Sequence, residues 1–205
     1  MINKKKSGIW SKRLVLVFLI IMFILLGLLL NNKYTILVNN SFNKLMEKIQ
    51  FSFFVDISKI ISLLFEEYGI ILITFISFIY LFLSKRKKEA VVFSIVSVLN
   101  FASVTILKNI YSISRPVNAL IHETDFSFPS GHSSIAVVLF GFLAYIYLEN
   151  SKKNKNIVIL ASAFGALAVA FSRLYLNVHW LSDVIGGIII GSILFLAGLW
   201  ILEKW

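Results

Sequence analysis

Residues 14–30 read LVLVFLIIMFILLGLLL, an uninterrupted apolar run directly preceded by Lys12 and Arg13. At 1.5 Å rise per residue this run covers about 25 Å of helix, close to the roughly 30 Å hydrocarbon layer of a bilayer. A basic stretch before an apolar run also describes a secretory signal. The residues that follow, Asn31-Asn32-Lys33-Tyr34, lack a small-x-small cleavage pattern, so the run reads as a retained first span. Outward from it, further uncharged runs lie at 69–84, 90–107, 133–148, 157–172 and 184–202. The sequence therefore predicts an all-α, polytopic membrane protein: six transmembrane helices forming a single domain over 1–205.

Composition agrees. Of 205 residues, 59% are apolar and 15% charged, with mean hydropathy +0.88; a soluble domain has about half and a quarter. Too little polar surface remains to coat a globule in water. Zero Cys removes disulfides, thiolate metal sites and cysteine-based catalysis. The 10 Asp and Glu are scattered, which speaks against a carboxylate metal site.

The formal charge of +10 would suggest nucleic acid in a soluble chain, but its placement points to membrane lipids. With the N-terminus inside, Lys4, Lys5, Lys6, Lys12 and Arg13, then Lys85 to Lys88, then Lys152, Lys153 and Lys155, and finally Lys204 all fall on inner segments, as the positive-inside rule requires. Trp10, Trp200 and Trp205 fall at the same boundary. The basic runs are read as anchors against anionic headgroups rather than nucleic-acid patches. In the outer segment 31–68, stretches 41–50 and 53–65 are candidate interfacial amphipathic helices, carrying Lys33, Lys44, Lys48 and Lys59 as surface charges. The bias toward Lys, Asn and Ile suits a low-GC bacterium.

Lys108, Arg115 and Arg173 remain, at the outer ends of the third and fifth spans, where ionisable groups facing a bundle mark function. Lys108 and Arg115 are seven apart, and a helix running to Arg115, ended by Pro116, puts both on one face. Both then reach one phosphate, Arg as a fork and Lys as a point charge; snorkelling to headgroups is the plain alternative. Phe128-Pro129-Ser130-Gly131-His132-Ser133 precedes the fourth span as a helix start. Its Ser130, Gly131 and His132 amides are expected to be unpaired donors at the positive end of the helix, an anion cradle. The last patch runs from Ser172-Arg173 to His179-Trp180-Leu181-Ser182-Asp183. His179 and Asp183 share a face if the sixth helix begins by His179. Asp183 then accepts a hydrogen bond from one imidazole nitrogen, fixing the tautomer and leaving the other lone pair to attack, the base-and-orienter logic of a triad with His as nucleophile. Three patches on one membrane face suit phosphoryl transfer, in which spread charge is held by preorganised donors.

At this point the chain resembles the type-2 phosphatidic acid phosphatases, or lipid phosphate phosphatases. The pattern Lys-x6-Arg-Pro, Pro-Ser-Gly-His and Ser-Arg-x5-His-x3-Asp is matched in order over 108–183, and 121–133 is most similar to the bacterial phosphatidylglycerophosphatase B type. Asn177 stands where many members carry Gly. The resemblance implies that His179 attacks phosphorus to form a phosphohistidine, that Asp183 orients it and that His132 protonates the leaving oxygen. It implies phosphate binding by Lys108, Arg115, Ser130, Gly131 and Arg173, with no metal or other cofactor. The implied substrate is a phospholipid or polyprenyl phosphate: phosphatidylglycerol phosphate first, undecaprenyl diphosphate second, phosphatidic acid third. The implied location is a bacterial inner membrane, with both termini cytoplasmic and the site opening outward.

The rivals are an anion transporter, which has no use for a His179–Asp183 pair, and an intramembrane serine protease, which wants a buried Ser–His pair rather than Ser130 or Ser133 at the water boundary. A phosphotransferase differs only in the acceptor. His122, Glu123 and Asp125 are read as a solvated loop. Gly187 and Gly191, in the small-xxx-small register, are read as a close helix contact bracing the catalytic helix, and Trp180 as an interfacial anchor.

Overall fold

The computed structural model describes residues 2–151 and 153–205, with side chains from residue 12 onward. Lys4, Lys5, Lys6, Trp10 and Lys152 thus lie outside the described side chains. Eight helices follow one another: α1 (Ile2–Leu29), α2 (Lys33–Lys48), α3 (Ser52–Leu64), α4 (Glu67–Leu83), α5 (Lys87–Tyr111), α6 (Gly131–Asn150), α7 (Lys155–Tyr175) and α8 (Leu181–Lys204). Among the described residues there is no strand. Among the described residues five helices are long and apolar enough to cross a bilayer. A sixth crossing is made if α3 and α4, which meet at 60°, count as one broken span. The chain is a multi-pass membrane protein.

The outer segment departs from expectation in one place. Helix α2 begins at Lys33, eight residues before the amphipathic stretch, because the Asn32 side chain caps it by accepting from the Tyr34 amide at 2.9 Å. Helix α3 matches its predicted stretch to within a residue.

The two ends of the bundle differ chemically. At one end Lys12 pairs with Glu203, Arg86 pairs with Glu89 at 2.8 Å and Glu149 at 2.6 Å, and Lys88 donates to the Trp205 carbonyl at 2.6 Å. Those contacts join the start of α1, the α4–α5 turn and the ends of α6 and α8, as an even number of crossings requires. The motif residues gather at the opposite end.

Between the ends, α8 is the central helix, packing on α1, α5 and α6. Its glycines explain how closely it approaches α6. A Cβ on Gly187 would collide with the Ser130 carbonyl oxygen, and one on Gly191 with the Ser134 carbonyl oxygen and, at 2.9 Å, the Val137 Cβ. Backbone meets backbone here, and the small-xxx-small register makes it possible. Three apolar clusters complete the packing. Val92, Phe93, Val96, Val138 and Phe142 join α5 to α6. Phe23, Phe128, Ile189 and Ile190 join α1 to α8. Met46, Leu174, Tyr175 and Val184 seat α2 against α7 and α8. Side chains such as Leu14, Phe18 and Leu28 stay exposed, as a lipid-facing surface requires.

Gly191→Ala is expected to destabilise the fold by about 1–3 kcal/mol, the usual range for overpacking a close contact. Thermal unfolding of the detergent-purified protein measures this; an unchanged midpoint would show that the α6–α8 contact is looser than described.

Candidate active site

The site is assembled by loops and helix ends rather than by helix faces. Helix α5 ends at Tyr111, not at Arg115, because Ser112 turns left-handed at φ 49°. Lys108 and Arg115 therefore do not share a helix face. They meet because residues 113–115 run back beside the following loop, where Ser127 donates its amide to the Ile113 carbonyl at 2.8 Å. Both cations then bind Asp125: Lys108 Nζ to Oδ2 and Arg115 Nη2 to Oδ1. Arg115 Nε also donates to the Asp125 backbone carbonyl at 2.9 Å.

Helix α8 begins at Leu181, two residues after the start supposed for it. His179 and Asp183 still meet, because Asp183 reaches back over the helix start. Its Oδ2 accepts from the Trp180 amide at 2.8 Å and lies 3.2 Å from His179 Nδ1. A carboxylate partner assigns the proton to Nδ1, leaving the Nε2 lone pair. Arg115 Nη1 faces that nitrogen at 3.2 Å and also donates to the Val178 carbonyl at 2.9 Å. Burial first, then the charges of Arg115, Arg173, Lys108 and His132, hold the His179 imidazole well below its ordinary range. These influences favour a neutral ring, whose free nitrogen looks into a cluster of cations.

The start of α6 closes the site. Ser130 caps α6 through a hydroxyl that pairs with Ser133 Oγ at 3.0 Å. Its amide is not free as expected; it donates to the Asp183 carbonyl at 3.0 Å, pinning the cradle to α8. The N-terminal Gly131 and His132 amides remain for an anion. A Cβ on Gly131 would meet only Val104 Cγ1 at 3.4 Å, so no crowding by the protein demands a glycine there. Close approach by a ligand would.

Arg173 is fully buried. It donates through Nη1 to Ser62 Oγ and through Nη2 to Glu123 Oε1, while its buried Nε has no partner. Glu123 Oε2 lies 3.7 Å from Arg115. The expected solvated loop is thus an acidic loop bound to the cations, since cations this buried require counter-charge. His122 makes none of these contacts. Ser62 of α3, not anticipated from the sequence, also presents its carbonyl to His132 Nε2 at 3.1 Å. A signal for it exists: Ser58 and Ser62 lie one turn apart on an apolar helix, and both are buried. Asn39 of α2 was likewise missed; it binds Ser182 through both the amide at 3.1 Å and the hydroxyl at 2.9 Å.

Two local details complete the picture. Trp180 donates its indole N–H to the Ser114 carbonyl at 2.8 Å, so it forms a wall against the loop that carries Arg115. Asn177 sits at φ 52°, a left-handed position that Asn adopts more readily than most residues other than Gly. A cavity of about 320 Å³ flanks this wall, lined by Asn31, Asn39, Asn40, Ser114, Trp180 and Ser182 among others.

A family model described as the PAP2 superfamily matches residues 87–205. The phosphatidylglycerophosphatase B of Bacillus subtilis (strain 168) is 42% identical over 80 residues, 37% of this chain and 39% of that protein. A putative undecaprenyl-diphosphatase YbjG of Escherichia coli (strain K12) is 38% identical over 77 residues, 37% of this chain and 35% of that protein. The chain spans well under half the length of the curated relatives it matches. The crystal structure of a transmembrane PAP2 type phosphatidylglycerolphosphate phosphatase from Bacillus subtilis superposes with a TM-score of 0.87 at 26% identity, covering 92% of this chain and 96% of that one.

Because burial and the charges of Arg115, Arg173 and Lys108 disfavour its charged form, His179 is expected to remain a neutral imidazole, protonated on Nδ1, at pH 6. Nitrogen-15 NMR of histidine-labelled protein in micelles reads this directly. A ring that takes up its second proton at or above pH 6.5 would contradict the geometry.

Proposed function

The chain belongs to the PAP2 superfamily, and on that premise we propose that it is a lipid phosphatase whose nucleophile is His179. The observation that carries this reading is the His179–Asp183 pair, whose unprotonated nitrogen faces Arg115, with Lys108 and Arg173 close by. A transporter has no use for an oriented lone pair, and the Ser130 hydroxyl is engaged as a helix cap.

In the proposed reaction the phosphoryl group lies against Lys108, Arg115, the Arg173 Nε and the Gly131 and His132 amides. Those donors take the charge that spreads over the equatorial oxygens in the transition state. Nε2 of His179 forms a bond to phosphorus as the phosphorus–oxygen bond to the lipid breaks, and Arg115 moves from Nε2 to a phosphoryl oxygen. The positive charge that develops on His179 is stabilised by Asp183. His132 acts in its protonated form and gives its proton to the departing oxygen. Its Nε2–H is held on the Ser62 carbonyl, which leaves Nδ1 to serve the leaving group. In the second half His132 takes a proton from water, whose oxygen displaces His179 from phosphorus and releases inorganic phosphate.

The favoured substrate is phosphatidylglycerol phosphate, supported by the names of the Bacillus relative and of the superposed structure. The undecaprenyl diphosphate reading is supported by the Escherichia relative. The arrangement of basic segments supports both termini being cytoplasmic and the site lying on the outer face. Because the chain has no Cys, single cysteines report this cleanly. A membrane-impermeant maleimide on intact cells should label Val117→Cys, beside the site, and spare Lys153→Cys. The reverse pattern would invert the topology.

Released phosphate from a panel of phosphatidylglycerol phosphate, undecaprenyl diphosphate and phosphatidic acid, assayed in excess chelator, tests the function. His179→Ala is expected to abolish turnover of every substrate. His132→Ala is expected to lose about 10²- to 10⁴-fold on lipids, the usual worth of general acid catalysis, and much less on an activated ester whose leaving group needs no proton. Equal losses on both would remove His132 from the acid role.

A further inference from the structure

The acidic loop between the first two motifs occupies the anion site. Asp125 spans Lys108 and Arg115, and Glu123 spans Arg173 and, more distantly, Arg115. Three cations are thus already served by two carboxylates. A phosphoryl group held by Lys108 and Arg115 needs the same Nζ and Nη2 donors that Asp125 now occupies. A carboxylate has to give up those contacts when substrate arrives.

The two are not equivalent. Glu123 is the less exposed, with 22% of its side chain accessible, and is the carboxylate partner of the fully buried Arg173. Asp125 has 51% of its side chain exposed, and its cations are each about one-tenth exposed. Burial works against the charged form of Asp125, yet its hydrogen bonds to Lys108 and Arg115 and their charges hold it below the usual carboxylate range. It therefore cannot yield by taking up a proton near neutrality; it yields by rotating into water. The loop stays in place during that rotation, because Arg115 Nε holds the Asp125 backbone carbonyl at 2.9 Å.

We propose that Asp125 is a resident counter-anion of the phosphate site, displaced by the phosphoryl group of the substrate, and so sets how tightly the site holds anions. This rests on the phosphatase reading of the site. Asp125 keeps Lys108 and Arg115 aligned while the site is empty, and it competes with both substrate and inorganic phosphate.

Titration calorimetry of the full chain in detergent micelles, with inorganic phosphate as the probe, tests this without relying on turnover. Asp125→Asn is expected to bind phosphate about three- to tenfold more tightly than the parent, as the loss of two half-exposed ion-pair contacts implies. KM for a soluble phosphate monoester should fall by a similar factor, with no rise in kcat. Asp125→Glu, which retains the charge, is expected within about twofold of the parent. Asp125→Ser removes the same charge with a smaller side chain and must move binding in the same direction, which covers the case of an Asn variant that does not fold. Parent binding with equal or weaker binding in both neutral variants overturns the proposal alone. Absence of phosphate binding in the parent and the neutral variants overturns the phosphate site and the proposal together.

Discussion

Charge at the edge of a hydrocarbon layer persists only where each charged group has a partner, and Asp183 is the residue through which this site satisfies that demand. Its carboxylate orients His179 and caps the first turn of α8 through the Trp180 amide, while its backbone carbonyl takes the Ser130 amide from the start of α6. One residue thus ties the proposed nucleophile, the proposed anion cradle and two helices into a single unit. The approach it needs is permitted by Gly187 and Gly191, which let α8 lie against the α6 backbone. The glycine contact and the chemistry are two consequences of one packing decision.

The outer segment belongs to this unit. Asn39 on α2 caps the start of α8 from outside the helix, holding the Ser182 amide and hydroxyl. The last turn of α3 brings the Ser62 hydroxyl to Arg173 and the Ser62 carbonyl to His132. Gln50 and Phe51 join the α2–α3 turn to Tyr175, with bonds of 2.8 Å to its carbonyl and its hydroxyl. Helices that look like surface attachments therefore hold one imidazole directly and the start of the helix behind the other. The Ser62 carbonyl can only accept, so it assigns a proton to Nε2 of His132 and leaves Nδ1 for the proposed acid role.

Electrostatics divides the labour between the two imidazoles. His179 has its carboxylate partner behind it and the cations in front, so it stays neutral and its lone pair points where negative charge will arrive. His132 faces the helix end of α3. The cations that hold the ring of His179 neutral are the same ones proposed to bind phosphate. In the proposed reaction, arrival of a dianion offsets their charge and draws Arg115 away from Nε2, so that substrate binding readies the proposed nucleophile.

Much of this was legible in residue order alone. Uncharged runs of near-bilayer length specify membrane helices whatever their packing, because lipid leaves the backbone no other way to satisfy its polar groups. The Lys-x6-Arg-Pro, Pro-Ser-Gly-His and Arg-x5-His-x3-Asp patterns nominated the residues that the fold brings together, and the Gly187–Gly191 spacing marked the close contact. What residue order did not reveal depends on where the chain turns. Ser112 ends α5 early, so Lys108 and Arg115 converge through a loop rather than along a helix face. Ser130 spends its amide on Asp183, Ser62 and Asn39 reach the site from helices distant in sequence, and Glu123 and Asp125 prove to be counter-ions. Local pattern determined the spans and the chemical identity of the motif groups, since both follow from side-chain type and spacing. Only the tertiary structure decided which groups neutralise one another, because pairing of buried charges is a property of distances across the bundle that no stretch of sequence contains.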